Sequence, residues 1–246
     1  MDAIPSAIFK AYDIRGTVPD QIHIGVAERV GRAVVVHTGA STVVVGRDMR
    51  ASSPELAAAV IHGVTAQGAD VVDIGLATTP MFNFAVVQHQ VLNKVAGVMV
   101  SASHNPAKYN GFKLDRAGGV PIGTGGGMEE IAHLAMGDVF PDAARMGNSR
   151  TSHVLDAYLA KVAALEDPTA LSPQRMVVCC GNGMGGYTMP HLAPRIPGEV
   201  IPLHWELDGS FPNHEANPIK PENVRDLGFA VRDAGAAVGF AYDGDA

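Results

Sequence analysis

The sequence has little cysteine and no pair of cysteines placed for cross-linking. Its two cysteines, Cys179 and Cys180, are adjacent within an apolar run. Neighbouring positions of a strand point to opposite faces of a sheet, so a disulfide or a metal site built on this pair is disfavoured. We therefore expect two small buried thiols, a cysteine usage that fits the reducing cytoplasm.

Clusters of basic residues and long apolar runs are also lacking. The chain has 18 Lys and Arg against 25 Asp and Glu, for a formal net charge of -7, and this disfavours general binding of nucleic-acid phosphates. Residues 1–15 lack the apolar core of a secretory signal. No uninterrupted apolar stretch is long enough to span a membrane. We therefore expect neither a nucleic-acid nor a membrane partner.

Strand and helix patterns alternate along the 246 residues, and this alternation indicates the α/β class. We predict two consecutive α/β domains, 1–149 and 150–246, each with a mixed, mostly parallel sheet covered by helices on both faces. A helix near 152–166 joins them. Predicted strands are 42–45, 71–74, 95–100, a short one after the Asn110-Gly111 turn signal, 176–180, 199–203 and 237–242. One predicted helix begins after Ser52 and ends at Gly68. Further predicted helices cover 81–91, 129–134 and 222–234.

A polar hexapeptide, Ser-Ala-Ser-His-Asn-Pro at 101–106, follows the apolar run 95–100. Open α/β sheets bind ligands beyond the carboxyl ends of their strands, so we expect Ser103 to be displayed there. His104 is adjacent in sequence, and adjacent side chains diverge in extended backbone, which makes His104 a poor base for Ser103. A plain polar turn in which Ser and Asn cap the chain remains an alternative.

Two carboxylates, Asp243 and Asp245, flank Gly244 directly after the last predicted strand. Residues at i and i+2 of extended backbone share a side, and hard oxygens so arranged suit Mg²⁺. A solvated turn is the alternative. Basic residues next to glycine or at strand edges, Arg15, Arg47 and Lys113, are candidates for phosphate contacts, or else surface ion pairs.

The segment 181–186, Gly-Asn-Gly-Met-Gly-Gly, has the glycine spacing of a dinucleotide-binding loop, and Glu206 lies about twenty residues further on. Three prolines, Pro190, Pro194 and Pro197, crowd the helix that should open on a pyrophosphate. A nicotinamide cofactor is therefore disfavoured. A zinc site is disfavoured as well, because the histidines are scattered and form no H-x-x-x-H pair.

Together these motifs resemble the α-D-phosphohexomutase family, and most closely its phosphomannomutase/phosphoglucomutase branch. The resemblance runs from residue 8 to 246. Its segments are Phe-Lys-Ala-Tyr-Asp-Ile-Arg-Gly at 9–16, Val-Gly-Arg-Asp-Met-Arg at 45–50, the hexapeptide at 101–106, Tyr-Asn-Gly-Phe-Lys at 109–113, Phe-Pro-Asn-His-Glu-Ala-Asn-Pro at 211–218, and Asp-Gly-Asp at 243–245.

The resemblance implies that Ser103 carries a transferable phosphoryl group and that His104 is an active-site histidine. It also implies an Mg²⁺ site to which Ser103 contributes and in which Asp243 and Asp245 match the first two of three aspartates. The family has four domains with one active-site loop each. The chain ends before the third aspartate and before domains three and four, so we expect a fragment that is inactive by itself.

The remaining implied residues concern the substrate. Tyr12 and Arg15 match positions near the phosphoserine and the substrate, and Lys113 and Arg15 match candidate general acid/base positions. Lys113 is also expected to bind substrate. The implied ligands are hexose 1- and 6-phosphates, of mannose or glucose, and a hexose 1,6-bisphosphate intermediate.

Three other functions stay open. Within the family, the hexapeptide also suits a phosphoglucosamine mutase. A haloacid-dehalogenase-like phosphatase would use Asp243 as its nucleophile. A sugar-phosphate-binding module would have no catalytic role. Replacing Ser103 by alanine distinguishes a mutase from the phosphatase, because only the mutase should lose activity.

Overall fold

The computed structural model describes residues 4–89, 94–137, 139–165, 167 and 172–246. They divide into two compact units. The first comprises Met1–Ala102 and Lys108–Val154, and the second comprises Ser103–Ala107 and Leu155–Ala246. The predicted domain limit at 149/150 stays a prediction. Within the described ranges, no helix combines the length and the apolar character that crossing a membrane requires.

The first unit is built on a seven-stranded mixed sheet. The strand order is β1-β5-β4-β2-β3-β7, with β6 paired to β5. The strands from β4 through β2 and β3 to β7 run parallel, whereas β1, β5, β4 and β6 pair antiparallel. The elements are β1 (Ile14–Thr17), α1 (Ile24–Thr38), β2 (Thr42–Arg47), α2 (Ser53–Ala66), β3 (Asp70–Leu76), α3 (Thr79–Gln88), β4 (Val95–Val100), β5 (Tyr109–Arg116), β6 (Val120–Pro121), α4 (Met128–Met136) and β7 (Ser149–Thr151).

Helices cover both faces of this sheet. All six residues of β4 are buried, as a continuous apolar run in a doubly covered sheet should be. Ala96, Val98 and Val100 belong to a core that also contains residues of α1, α2 and α4. Gly97 faces the opposite side, where a Cβ would lie 2.6 Å from the Phe82 ring of α3. The predicted α/β class with two covered faces is therefore confirmed.

The second unit has a three-stranded parallel sheet in the order β10-β8-β9. Cys179 packs with Leu227 on one face and Cys180 with Met189 on the other, so the prediction of two buried free thiols is confirmed. Burial raises the pKa of Cys180 to about 12, which keeps this thiol protonated and unreactive. The elements are α5 (Leu155–Ala163), β8 (Gln174–Cys179), α6 (Gly185–Leu192), β9 (Gly198–Leu203), α7 (Arg225–Asp233) and β10 (Val238–Ala241).

The Asn110-Gly111 turn prediction is wrong, because both residues lie inside β5. A Cβ on Gly111 would lie 2.0 Å from the Ile14 carbonyl oxygen. The glycine therefore admits the close approach of β1, and no chain reversal occurs there. The Asn110 side chain is buried and accepts a hydrogen bond from the Gly111 amide at 2.8 Å.

Other boundaries differ from the sequence predictions in small ways. The sequence did not indicate β1, α1, β6, β7 or α6. It predicted helices reaching residues 91 and 166, and those ends lie outside the described residues. Pro190 lies inside α6, so this proline does not prevent a helix after the glycine-rich loop.

Candidate active site

Ser103 is buried beneath the two carboxylates that the sequence singled out. Its Oγ lies within hydrogen-bond distance of both carboxylates, 2.7 Å from Asp243 Oδ1 and 2.9 Å from Asp245 Oδ1. Only 7% of Ser103 is exposed, so the expectation of a displayed serine is wrong. The reason is tertiary, since the Asp-Gly-Asp segment after β10 folds over the serine within the second unit.

The Ser103 hydroxyl lies between the carboxylates of Asp243 and Asp245. A serine hydroxyl has one hydrogen, so it can satisfy only one of the two acceptors at a time. Asp243 and Asp245 therefore bring two acidic groups to one oxygen, where their like charges repel. A cation between these oxygens would relieve that repulsion, and this is the main physical feature of the site.

The donor set fits Mg²⁺. Two carboxylates and one hydroxyl are hard oxygen ligands, and Mg²⁺ binds through a few carboxylates while keeping water or a phosphate oxygen in its other positions. Across the described ranges, no group of three or more His, Cys, Asp and Glu side chains is placed to hold a metal. The convergence of Ser103, Asp243 and Asp245 makes them the residues that would hold an ion here, with non-protein oxygens completing its shell.

His104 also converges on Asp243. Its Nδ1 lies 3.2 Å from Asp243 Oδ2, while Ser103 uses the other carboxylate oxygen. The expected divergence of Ser103 and His104 assumed extended backbone, but Ser103 has φ 50°. A residue other than glycine in this left-handed region costs about 1 kcal/mol or more and persists where the surroundings hold it. The carboxylate of Asp243 thus links both side chains.

Glycines allow the backbone to close tightly over the serine. A Cβ on Gly244 would lie 2.4 Å from the Ser103 carbonyl oxygen, and one on Gly183 would lie 2.7 Å from the Gly244 oxygen. The Met184 amide donates to that same Gly244 oxygen at 2.9 Å. The Asp-Gly-Asp segment is therefore held between Ser103 and the glycine-rich loop.

The glycine spacing at 181–186 is the sequence signal of this supporting role. The other glycines of the loop also face protein atoms. A Cβ on Gly186 would lie 1.8 Å from the Trp205 oxygen, and one on Gly185 would lie 3.0 Å from the Tyr242 ring. The close approach that a dinucleotide would need is thus made here by the protein's own backbone and side chains.

The basic residues singled out for phosphate contact lie in the first unit. Arg15 of β1 faces Gly111 of β5 in the register, and Lys113 lies two residues further along β5. Positions two apart on a strand share a face, so the two cations lie on the same side of the sheet. Arg15 forms an ion pair with Asp13, and Tyr12 is 82% exposed. Arg15 and Lys113 therefore bring two cationic side chains to one side of this sheet.

Comparison with known proteins places this geometry in a family. Residues 6–135 match the profile described as phosphoglucomutase/phosphomannomutase, alpha/beta/alpha domain I, and residues 156–246 match that of domain II. A phosphomannomutase/phosphoglucomutase of Pseudomonas aeruginosa is 39% identical over 98% of this chain and 51% of its own length. A Xanthomonas campestris protein named for phosphohexose mutases is 41% identical over 96% of this chain and 52% of its own length.

A solved structure supports the same family. A phosphoglucomutase/phosphomannomutase family protein of Burkholderia thailandensis superposes with a TM-score of 0.87 and 34% identity, covering 98% of this chain and 53% of that one. The chain spans about half the length of the curated relatives that it matches. Matches to both domain profiles together cover most of its residues, and on this basis the chain belongs to the phosphoglucomutase/phosphomannomutase family.

Proposed function

We propose that this chain carries the phosphoserine and the metal ligands of an enzyme that interconverts hexose 6-phosphate and hexose 1-phosphate. The observation that carries the proposal is the placement of the Ser103 Oγ between Asp243 and Asp245. The names of the relatives point to mannose and glucose phosphates as substrates.

The proposed reaction moves one phosphoryl group out and another back. The O–P bond of phosphorylated Ser103 breaks, and a new O–P bond forms to a free hydroxyl of the sugar monophosphate. The resulting hexose 1,6-bisphosphate reorients within the site and returns its other phosphoryl group to Ser103. Charge neutralisation and alignment matter most for such a transfer.

We assign each step of this phosphoryl transfer to residues of this chain. The acceptor hydroxyl must lose its proton to a base. We assign this role to Lys113 in its neutral form, because the guanidinium of Arg15 keeps its proton in proteins and can only offset the developing negative charge. Tyr12 and the same two basic side chains would bind the sugar phosphate. His104, hydrogen-bonded to Asp243, would keep that carboxylate oriented. When bound by Ser103 and the two aspartates, Mg²⁺ would neutralise charge on the transferring phosphoryl group.

Phosphorylation of the serine tests the proposal directly. The test follows only phosphoryl transfer to Ser103, and not the interconversion of sugar phosphates for which the chain by itself is expected to be inactive. The chain is incubated with glucose 1,6-bisphosphate and Mg²⁺, and intact-mass spectrometry with fragmentation then locates any added phosphate. We expect one phosphate, on Ser103, and none on the Ser103→Ala variant. Ser210→Ala, which removes an exposed serine hydroxyl, is the matched control and should be phosphorylated like the wild type.

Other outcomes identify the alternatives. Phosphate released into solution by Ser103→Ala as fast as by the wild type would support a phosphatase that uses Asp243. Binding of the bisphosphate with no transfer to any residue would support a sugar-phosphate-binding module. If glucosamine 1,6-bisphosphate phosphorylated Ser103 much faster than the glucose compound, the substrate assignment would change to that of a phosphoglucosamine mutase.

A further inference from the structure

A buried polar network lies in the first unit and has no part in the proposed chemistry. Its five members are 0% to 1% exposed. Asp48 is at its centre and accepts hydrogen bonds from the Arg50 amide at 3.0 Å and from the Ser53 hydroxyl at 2.5 Å. The Arg50 Nε lies 3.2 Å from Asp48 Oδ2. The members are Asp48, Arg50, Ser53, Ser101 and Asn110.

A buried ion pair is costly to form, because both charges lose water. Burial raises the pKa of Asp48, while Arg50 and the hydrogen bonds from Ser53 and Ser101 oppose that rise. Replacing such a pair by apolar residues of similar size is often neutral or even stabilising. Stability alone therefore does not account for the pair, and the groups that it positions are the feature to consider.

The network forms hydrogen bonds at both ends of the segment Ser103–Ala107, which carries the serine. The chain leaves the first unit after Ala102 and re-enters it at Lys108. On the leaving side, the Ser101 side chain hydrogen-bonds to Asp48. On the returning side, Arg50 Nη1 donates to the Tyr109 carbonyl oxygen at 3.0 Å.

The Asn110 amide group adds a second tie on the returning side. Its Nδ2 donates to the hydroxyl oxygens of Ser52 and Ser53 at 2.8 and 3.0 Å. The two stems of the segment Ser103–Ala107 are thereby tied to the same few residues at the end of β2 and the start of α2.

We propose that Asp48 and Arg50 are positioning residues that clamp the two stems and so set the position of Ser103 for phosphoryl transfer. The proposal rests on the proposed function. Arg50 is suited to this task because its planar guanidinium has several donors in a fixed arrangement. Its Nε faces the carboxylate of Asp48, which contacts Ser101 of the leaving stem, and its Nη1 donates to the Tyr109 carbonyl oxygen of the returning stem. The pair therefore connects both stems.

Two variants test the clamp without leaving an isolated buried charge. Arg50→Lys keeps the positive charge, but its single ammonium cannot reproduce the fork that reaches Asp48 and Tyr109 together. The double variant D48N/R50M removes both charges at once. The matched control is Thr65→Val, because Thr65 is buried and its hydroxyl donates to two carbonyls at the far end of α2.

The first readout is hydrogen exchange at the stems, which does not depend on activity. The Ser101 amide donates to the Gly111 oxygen, and the Val18 amide donates to the Lys108 oxygen. We expect both amides to exchange about ten-fold faster in the two variants, since their stems open locally. The Val71 amide, bonded to the Asn148 oxygen, should not change, and Thr65→Val should leave the stem amides as in the wild type.

The second readout is the single-turnover rate of Ser103 phosphorylation by glucose 1,6-bisphosphate, measured on folded protein. We expect this rate to fall about ten- to hundred-fold, because small displacements of a reacting group cost this much. The half-saturating bisphosphate concentration should stay within about two-fold, since neither residue binds the ligand in this scheme. A role in stability alone would lower the folded fraction and leave the rate per folded molecule unchanged.

The outcomes separate this proposal from the proposed function. Unchanged exchange at Ser101 and Val18 in both variants would overturn the clamp, whatever happens to phosphorylation. Faster exchange with an unchanged phosphorylation rate would overturn the positioning role. A wild-type chain that takes no phosphate would overturn the proposed function and the catalytic part of this inference, while exchange would still decide whether the clamp exists.

Discussion

Asp115 on β5 is a buried carboxylate whose removal should change the pH dependence of folding. It is 3% exposed, and among the described residues its Oδ2 has no hydrogen-bond partner. Burial raises the pKa of Asp115 from 3.8 to about 6, and the charge of Lys113 opposes that rise only in part. The folded chain therefore binds the Asp115 proton more tightly than the unfolded chain does.

The sign and size of the effect follow from this difference. A carboxyl whose pKa is higher in the folded state favours folding at low pH, and that contribution is lost as the pH rises from 3.8 to about 6. At about 1.4 kcal/mol per pH unit, the loss amounts to about 3 kcal/mol. Asp115→Asn stays neutral throughout. The variant should therefore gain stability relative to the wild type between pH 4 and pH 7.

Urea denaturation at a series of pH values measures this difference, because other titrating groups cancel between the two proteins. Asp70→Asn is the matched control. The backbone amide of Asn148 and the side chain of Arg145 hold the pKa of Asp70 below its usual value of 3.8. Removing that carboxylate should therefore give a pH dependence of the opposite sign below pH 3.8 and almost none between pH 4 and pH 7. If the stability difference between wild type and Asp115→Asn stayed constant from pH 4 to pH 7, the reasoning about Asp115 would be refuted.

Two further substitutions probe the supports of the site and the fold. Gly183→Ala should weaken Mg²⁺ binding about ten-fold by isothermal titration calorimetry, because the new Cβ would lie 2.7 Å from the Gly244 oxygen; unchanged affinity would contradict the supporting role of the loop. Thr78→Ala removes the side chain that accepts from the Met81 amide at the start of α3, and should lower the free energy of unfolding by about 1 kcal/mol. The same urea titration measures this loss, and a stability equal to the wild type would show that the cap contributes nothing.

Much of the fold was predictable because apolar runs and turn residues report local structure. The run 95–100 coincides with β4, since a fully buried strand needs apolar residues at every position. In contrast, β1 and β7 have only four and three residues. Such short strands form because a neighbouring strand offers hydrogen bonds, so their own sequence has little periodicity to detect.

The candidate site was predictable to a smaller extent. The pattern at 101–106 and the Asp-Gly-Asp at 243–245 drew attention to the residues that the structure brings together. The burial of Ser103 and its positive φ could not be predicted, because both depend on contacts with residues about 140 positions away.

The sequence by itself determined the α/β class, the opposite-facing cysteines and the oxygen-rich residue types of the site, because these follow from local periodicity and side-chain chemistry. Only the tertiary structure brought one serine hydroxyl within hydrogen-bond distance of two carboxylates. It also brought the backbone at Gly183 close to Gly244, and the backbone at Gly244 close to Ser103. It also decided that Asp48 and Arg50 would connect two chain stems. These features depend on the distance between atoms far apart in the chain, and that distance is set only when the sheets and helices pack.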